Sequence, residues 1–318
     1  ARFVVSGDSE LQNLAETPLV TPNVTLHRVG PRRIPTAIVT PRNRSGGPLP
    51  VLFDPYGGPH AQRVVAASSA YCASQWFADQ GFVVVVADNR GTPGRGSEWE
   101  REVLHDLAGP VLDDQVGVAH ALPSLEPRAD MTRVGIRGWS FGGYLAALAV
   151  LRAPDVFHCG VAGAPVTDWR LYDTHYTERY LGVPKDEKDP AYKEGSILTY
   201  AAELKRPLMI LHGTADKTVA VEDSKAFDEA LTKAGVEHQL VIVEGAPHSF
   251  HLEPKERDLR PLVLVDGNFQ SIRIAREVRR VVQEADDVRL AADSAAGALA
   301  VIDKRLGRVE NVVAAICD

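Results

Sequence analysis

Cysteine is scarce in this 318-residue chain: Cys72, Cys159 and Cys317 are odd in number and far apart, which excludes a disulfide framework, and no CxxC pair offers a zinc site. The three read as buried or incidental thiols. Basic residues are also short, since 35 Lys and Arg face 42 Asp and Glu, and the formal charge of −7 has the wrong sign for a surface that tracks phosphates. A nucleic-acid partner is therefore not expected. No stretch approaches the about 18 uninterrupted apolar residues of a membrane span, and the longest apolar runs, at 82–87 and 134–136, suit buried strands. No membrane partner is expected either. The opening ARFVVSGDSE lacks a basic segment followed by an apolar run, so no signal peptide is read and a cytoplasmic setting is expected. Repeats and low-complexity segments are missing as well. What is present is ordinary globular composition, 45% hydrophobic and 24% charged, in a length that suits one large α/β domain or two modest ones.

Residues 24–39 alternate apolar and polar side chains around a turn at 32–35, the pattern of an antiparallel hairpin. Strand-like runs follow at 49–53, 82–87, 133–136, 159–162, 207–211 and 239–243, with helical periodicity between them at 111–122, 141–151 and 222–234. Strands separated by helices imply βαβ crossovers and a mainly parallel sheet with helices on both faces. An antiparallel start followed by that alternation is the pattern of an α/β-hydrolase fold. The segment RGTPGRG at 90–96 superficially resembles a phosphate loop, but it lacks the Gly-Lys-Ser/Thr ending and reads as a strand-end loop.

One stretch concentrates the chemistry. Gly138-Trp139-Ser140-Phe141-Gly142 is a G-x-S-x-G motif between a β-branched strand and the helix-forming YLAALAVL. A strand feeding straight into a helix forces the turn residue into an unfavourable backbone region, where flanking side chains collide unless they are glycine. The strained corner would present the Ser140 hydroxyl, and the amides at the start of the next helix would face an oxyanion forming nearby. Serine is a poor nucleophile at neutral pH, so a base must take its proton and a third group must orient that base. In this fold the order is Ser, Asp or Glu, then His, each at a strand end. Asp216, in TADKTV after RPLMILHG, and His248, in APHSF after QLVIVEG, fill those places. Alternatives stand beside each assignment: Ser140 as a plain helix N-cap, Asp216 as an Asx turn, and His248 as a loop histidine or half of a metal pair with His251. No third ligand lies near those two histidines, so no metal is assigned.

With these residues in view, the chain resembles the catalytic domain of the prolyl oligopeptidase family of serine peptidases, nearest its dipeptidyl-peptidase-IV-like branch. The likeness runs from about residue 14 to about 221, carried by DPYGGPHAQ at 54–62, DNRGTPGRG at 88–96, GWSFGGY at 138–144, APVTDWRLYDTHYTERYLG at 164–182 and HGTADKTV at 212–219. The resemblance implies Ser140 as nucleophile, Asp216 as orienter and His248 as base. It also implies that the Tyr56 hydroxyl joins the Phe141 backbone N–H in the oxyanion hole. Val166, Trp169, Tyr172, Tyr176 and Val219 would form the hydrophobic pocket for the residue before the scissile bond, suited to proline or alanine. The bland alternative for these aromatics is plain core. No cofactor is implied.

The likeness has departures. Members of that branch carry a β-propeller ahead of the hydrolase domain, and no segment here can form one, so an excised catalytic domain or a propeller-free relative is expected. Lys217 and Thr218 stand where the peptidases carry an acidic residue and an amide, and residues 219–264 look more like free-standing esterases. Residues 1–264 are read as the catalytic domain, and 265–318 as a helical extension of unassigned role, with packing over the sheet, an oligomer contact and a cover for the site as the alternatives. Cleavage of peptides after proline or alanine is the first expectation, hydrolysis of small acyl esters the second, and a non-catalytic binding fold the third. The expected partner is a small peptide or ester, with a homo-oligomer as a further expectation.

Overall fold

The computed structural model describes residues 21–43 and 46–248. The domain limit at 264, the extension over 265–318, His251 and the first twenty residues lie outside the described residues.

The chain starts as a hairpin of β1 (Val24–Val29) and β2 (Ile34–Val39). Its turn occupies 30–33, two positions earlier than the alternation predicts, because Gly30 supplies a left-handed φ of 67° and Pro35 sits inside β2 opposite Arg28. There follow β3 (Leu49–Phe53), α1 (Cys72–Asp79), β4 (Val83–Ala87), α2 (Ser97–Arg101), α3 (Gly109–Leu125), β5 (Ala129–Trp139), α4 (Phe141–Arg152) and β6 (Cys159–Gly163). Then come α5 (Thr174–Leu181), α6 (Pro190–Gly195), β7 (Leu208–Gly213), α7 (Val221–Lys233) and β8 (Gln239–Val243).

The strands form one eight-stranded sheet in the order β1-β2-β4-β3-β5-β6-β7-β8. β2 pairs antiparallel with β1 and β4, and every later pairing is parallel. Strand β4, the run VVVVA, has no exposed residue, as a strand covered on both faces must. Its alternate residues divide between two cores. Val83, Val85 and Ala87 pack with residues of α3 and α4, whereas Val84 and Val86 pack with Phe77 and Ala78 of α1. Helices thus lie on both faces.

The connection order reverses between β3 and β5. From β3 the chain moves outward to β4, then returns past β3 to β5 and continues the other way through β6, β7 and β8. Loops leaving the C-terminal ends of two neighbouring strands at such a reversal diverge and leave a crevice. Tyr56 follows β3 and Ser140 follows β5, so both stand at that crevice.

Candidate active site

Ser140 has φ 59° and ψ −119°, a backbone region L-residues rarely adopt and one that costs about 1–3 kcal/mol. It is held there from both sides: its N–H donates to the Gly163 carbonyl at 2.8 Å, and its own carbonyl accepts from Tyr144 N–H at 2.9 Å. A Cβ on Gly138 would overlap the Gly142 carbonyl, and one on Gly142 would stand 2.6 Å from the Pro55 carbonyl oxygen. The glycines of the motif therefore let β5, α4 and the loop after β3 converge on one point.

Asp216 lies in the loop after β7 with a side chain that has no exposure to solvent. Its Oδ1 accepts the backbone N–H of Thr218 at 2.8 Å and of Val219 at 3.0 Å, and its Oδ2 lies 2.7 Å from His248 Nδ1. Burial pushes the carboxyl upward, but the hydrogen bonds from His248, Thr218 and Val219 outweigh it and hold Asp216 below the usual carboxylate value. His248 follows β8, and the Trp139 indole N–H donates to its carbonyl at 2.6 Å. The residue preceding the serine thus fastens the histidine loop. Because Nδ1 faces an acceptor it carries a proton, which in the neutral ring leaves the lone pair on Nε2. Among the described residues no hydrogen bond joins the Ser140 hydroxyl to that imidazole, so the structure brings Asp216 and His248 together and does not join Ser140 to them by a hydrogen bond.

Tyr56 is half-buried beside Phe141, with ring centroids 6.2 Å apart, and its hydroxyl makes no hydrogen bond among the described residues. Burial, then the phenols of Tyr172 and Tyr180, push its ionisation upward, so it keeps its proton as a donor. The first-turn amides of α4, beginning at Phe141, have no helical acceptor of their own.

The pocket residues converge as well. Val166, Trp169 and Val219 are buried at 3%, 1% and 1% exposure, and the Tyr176 ring stacks on Trp169 at 6.0 Å and 15°. Tyr172 closes the group edge-on to both rings, and Phe141 packs on Trp169 at 5.6 Å. The spacing that fits one helical face does not produce one: Val166 and Trp169 lie on the loop after β6, and only Tyr176 lies in α5, which starts at the Asp173 N-cap.

Two neighbours escape the motif reading. His60, on the loop after Tyr56, sets its ring edge-on to Tyr176 at 5.3 Å and shares a 2.7 Å hydrogen bond with the Tyr180 hydroxyl. His212, four residues before Asp216, is fully buried with Nε2 3.2 Å from Asp216 Oδ2. The GGPHAQ loop and the HGTAD order carry both signals, for they place a histidine beside each presumed donor or carboxylate.

A mainly parallel sheet of this order, with a strained G-x-S-x-G serine after β5 and a His–Asp pair from the loops after β7 and β8, defines an α/β-hydrolase fold. Residues 69–260 match the model of the prolyl oligopeptidase family, and the chain belongs to that family. Among its relatives, human dipeptidyl peptidase 8 is 37% identical over 212 residues, 65% of this chain and 24% of that protein. Prolyl endopeptidase FAP of Bos taurus is 32% identical over 213 residues, 66% of this chain and 28% of the relative. The crystal structure of Porphyromonas gingivalis dipeptidyl peptidase 4 superposes with a TM-score of 0.69 at 34% identity, covering 75% of this chain and 34% of the other. The chain spans about a quarter of the length of the curated relatives it matches.

Proposed function

We propose that the chain carries the catalytic centre of a serine peptidase that works through an acyl-enzyme. Ser140 Oγ attacks the carbonyl carbon of the substrate while His248 Nε2 takes its proton. Asp216 holds the imidazole in the tautomer with hydrogen on Nδ1 and stabilises the positive charge that develops on the ring. The carbonyl oxygen, now negative, is met by the Tyr56 hydroxyl and the Phe141 N–H; one such donor is worth about 3–4 kcal/mol of barrier. His248 then protonates the leaving amine, and water repeats the sequence on the ester. The single observation that carries this mechanism is the 2.7 Å His248–Asp216 hydrogen bond, fastened through Trp139 to the strained serine corner.

The acyl-side residue is read from the pocket. Val166, Trp169, Tyr172, Tyr176 and Val219 are uncharged, and Tyr176 is kept neutral by burial above all and then by the neighbouring phenols of Tyr56, Tyr180 and Tyr172. A flat ring such as proline fills such a box, as does alanine at lower occupancy. The names of relatives, dipeptidyl peptidases and a prolyl endopeptidase, support reading the substrate as a peptide rather than a simple ester. The test is a panel of chromogenic amides ending in proline, alanine or a charged residue, run beside short-chain esters with Ser140→Ala as control. Proline and alanine amides are expected to turn over and the control to be inert; ester turnover without amide cleavage overturns the peptidase assignment.

A further inference from the structure

We propose that His212, outside the Ser140–His248–Asp216 constellation, is a positioning residue that holds the Asp216 carboxylate ready for His248. It rests on the role given to Asp216 above. His212 ends no loop and faces no substrate: it lies within β7 with 0% exposure. Its Nε2 lies 3.0 Å from the Val219 carbonyl oxygen and 3.2 Å from Asp216 Oδ2. Neither of those oxygens can donate, so Nε2 carries a hydrogen whatever the charge of the ring. Nδ1 lies 2.7 Å from Ser224 Oγ on α7, a hydroxyl that serves as donor or acceptor as the ring requires. The ring orientation is thereby locked from both sides, by α7 and by the loop after β7.

The consequence falls on the carboxylate. Val219 donates its N–H to Asp216 Oδ1 at 3.0 Å and offers its carbonyl to His212, so one residue is held at both ends. Thr218 supplies the second N–H to Oδ1. With Oδ1 occupied by two amides, the plane of the carboxylate is set and Oδ2 is left for His248, with His212 Nε2, whose N–H is bonded to the Val219 carbonyl, 3.2 Å from it. Oδ2 thus meets two imidazoles, one that reacts and one that does not. The other titratable groups in electrostatic reach are Tyr172, which faces Asp216, and Asp223 on α7, which faces His212. Val219 also walls the acyl-side pocket, so the same clamp reaches the pocket.

The experiment compares His212→Leu, His212→Gln and Ser224→Ala with the parent chain, reading kcat, KM, the pH profile of kcat/KM and the low-field proton resonance of the His248–Asp216 hydrogen bond. Leu keeps the bulk and removes the N–H; kcat is expected to fall roughly tenfold or more. With one N–H fewer beside Oδ2, more of the carboxylate's negative charge faces the imidazole it orients, so the acid limb moves to higher pH and the low-field resonance shifts. Gln, whose amide N–H can reach where Nε2 stood, is expected to recover most of kcat and the original acid limb. A purely structural role would lower the melting temperature without moving the limb or the resonance. A folded His212→Leu with kcat, acid limb and resonance unchanged overturns the proposal, as does a Gln variant as impaired as Leu. If His212→Leu does not fold, Ser224→Ala decides, because it keeps the ring and frees its Nδ1: an unmoved resonance and limb overturn the proposal. Asp216→Asn, run in parallel, separates the two failures. Should it too stay near parental activity, the role given to Asp216 fails; should it be inactive while His212→Leu is unimpaired, only the His212 proposal fails.

Discussion

Replacing Asp216 by Asn keeps the shape of the side chain and changes one atom, and the hydrogen bonds around it dictate which. Oδ1 accepts two backbone N–H groups at 2.8 and 3.0 Å, so the amide oxygen of Asn must take that place; the reverse orientation would set an NH2 against two donors. The NH2 then occupies the Oδ2 position, 2.7 Å from His248 Nδ1. It can only donate, so the imidazole must turn its lone pair to Nδ1 and carry its proton on Nε2. That tautomer cannot accept the Ser140 proton. The loss expected is about 10⁴-fold in kcat, or about 5 kcal/mol of barrier. The same NH2 also stands 3.2 Å from His212 Nε2, donor against donor. The assay is the rate of Ser140 labelling by a fluorophosphonate and kcat on a proline amide, with circular dichroism to establish folding. A folded variant that keeps its activity within tenfold would refute the tautomer argument.

Tyr56→Phe removes a hydroxyl that makes no hydrogen bond among the described residues, so its melting temperature should stay put while kcat falls about 10²- to 10³-fold with little change in KM; an equal loss in KM alone would remove Tyr56 from the proposed oxyanion hole. Gly142→Ala places a Cβ 2.6 Å from the Pro55 carbonyl, which the loop can relieve only by retreating from the serine corner; a loss of about 1–3 kcal/mol in denaturant unfolding is expected together with lost activity. Trp139→Phe deletes the indole bond to the His248 carbonyl, and single-turnover acylation should slow several-fold for about 1 kcal/mol lost. Asp216 titrates below its ordinary 3.8, so its stabilisation is full above the unfolded-state value and disappears as pH falls through the folded one. The melting-temperature gap between the parent and Asp216→Asn should therefore be open at neutral pH and narrow below about pH 4.

The strand ends were the readable part of this chain. Parallel strands place all their C-terminal ends on one side, so residues following β5, β7 and β8 fall along one edge of the sheet, where Asp216 and His248 meet. The serine corner was readable for a similar reason, since Gly138 and Gly142 leave their mark on the sequence by lacking side chains. Elements set by non-local contacts were not. Strand β5 begins at Ala129, four residues before its apolar period, because its first residues pair with β3 while standing half-exposed or exposed, and a strand without a buried face has no alternation to display. Helix α5 spans eight residues and takes its place from the Asp173 cap and the aromatic cluster. His212 looked like part of a motif string; its function depends on Ser224 and Val219, whose proximity only the folding of α7 against β7 creates.

Phe141 ties the two halves of the site into one device. Its backbone opens α4, where the proposed oxyanion donor stands, and its ring lies against Trp169 of the proposed pocket and Tyr56, the second proposed donor. On the proposed assignment, a residue filling the pocket would press on rings packed against both donors, so binding there would be felt where negative charge develops. Interactions realised in the transition state raise kcat, whereas uniform binding lowers only KM. Trimming a pocket ring, as in Tyr176→Ala, should then lower kcat on a proline amide as well as raise KM. The same change should spare the reaction with a fluorophosphonate, which has no acyl-side residue to place. If both substrates lose rate equally, the pocket and the donors are not coupled and the damage lies in the folding of α5.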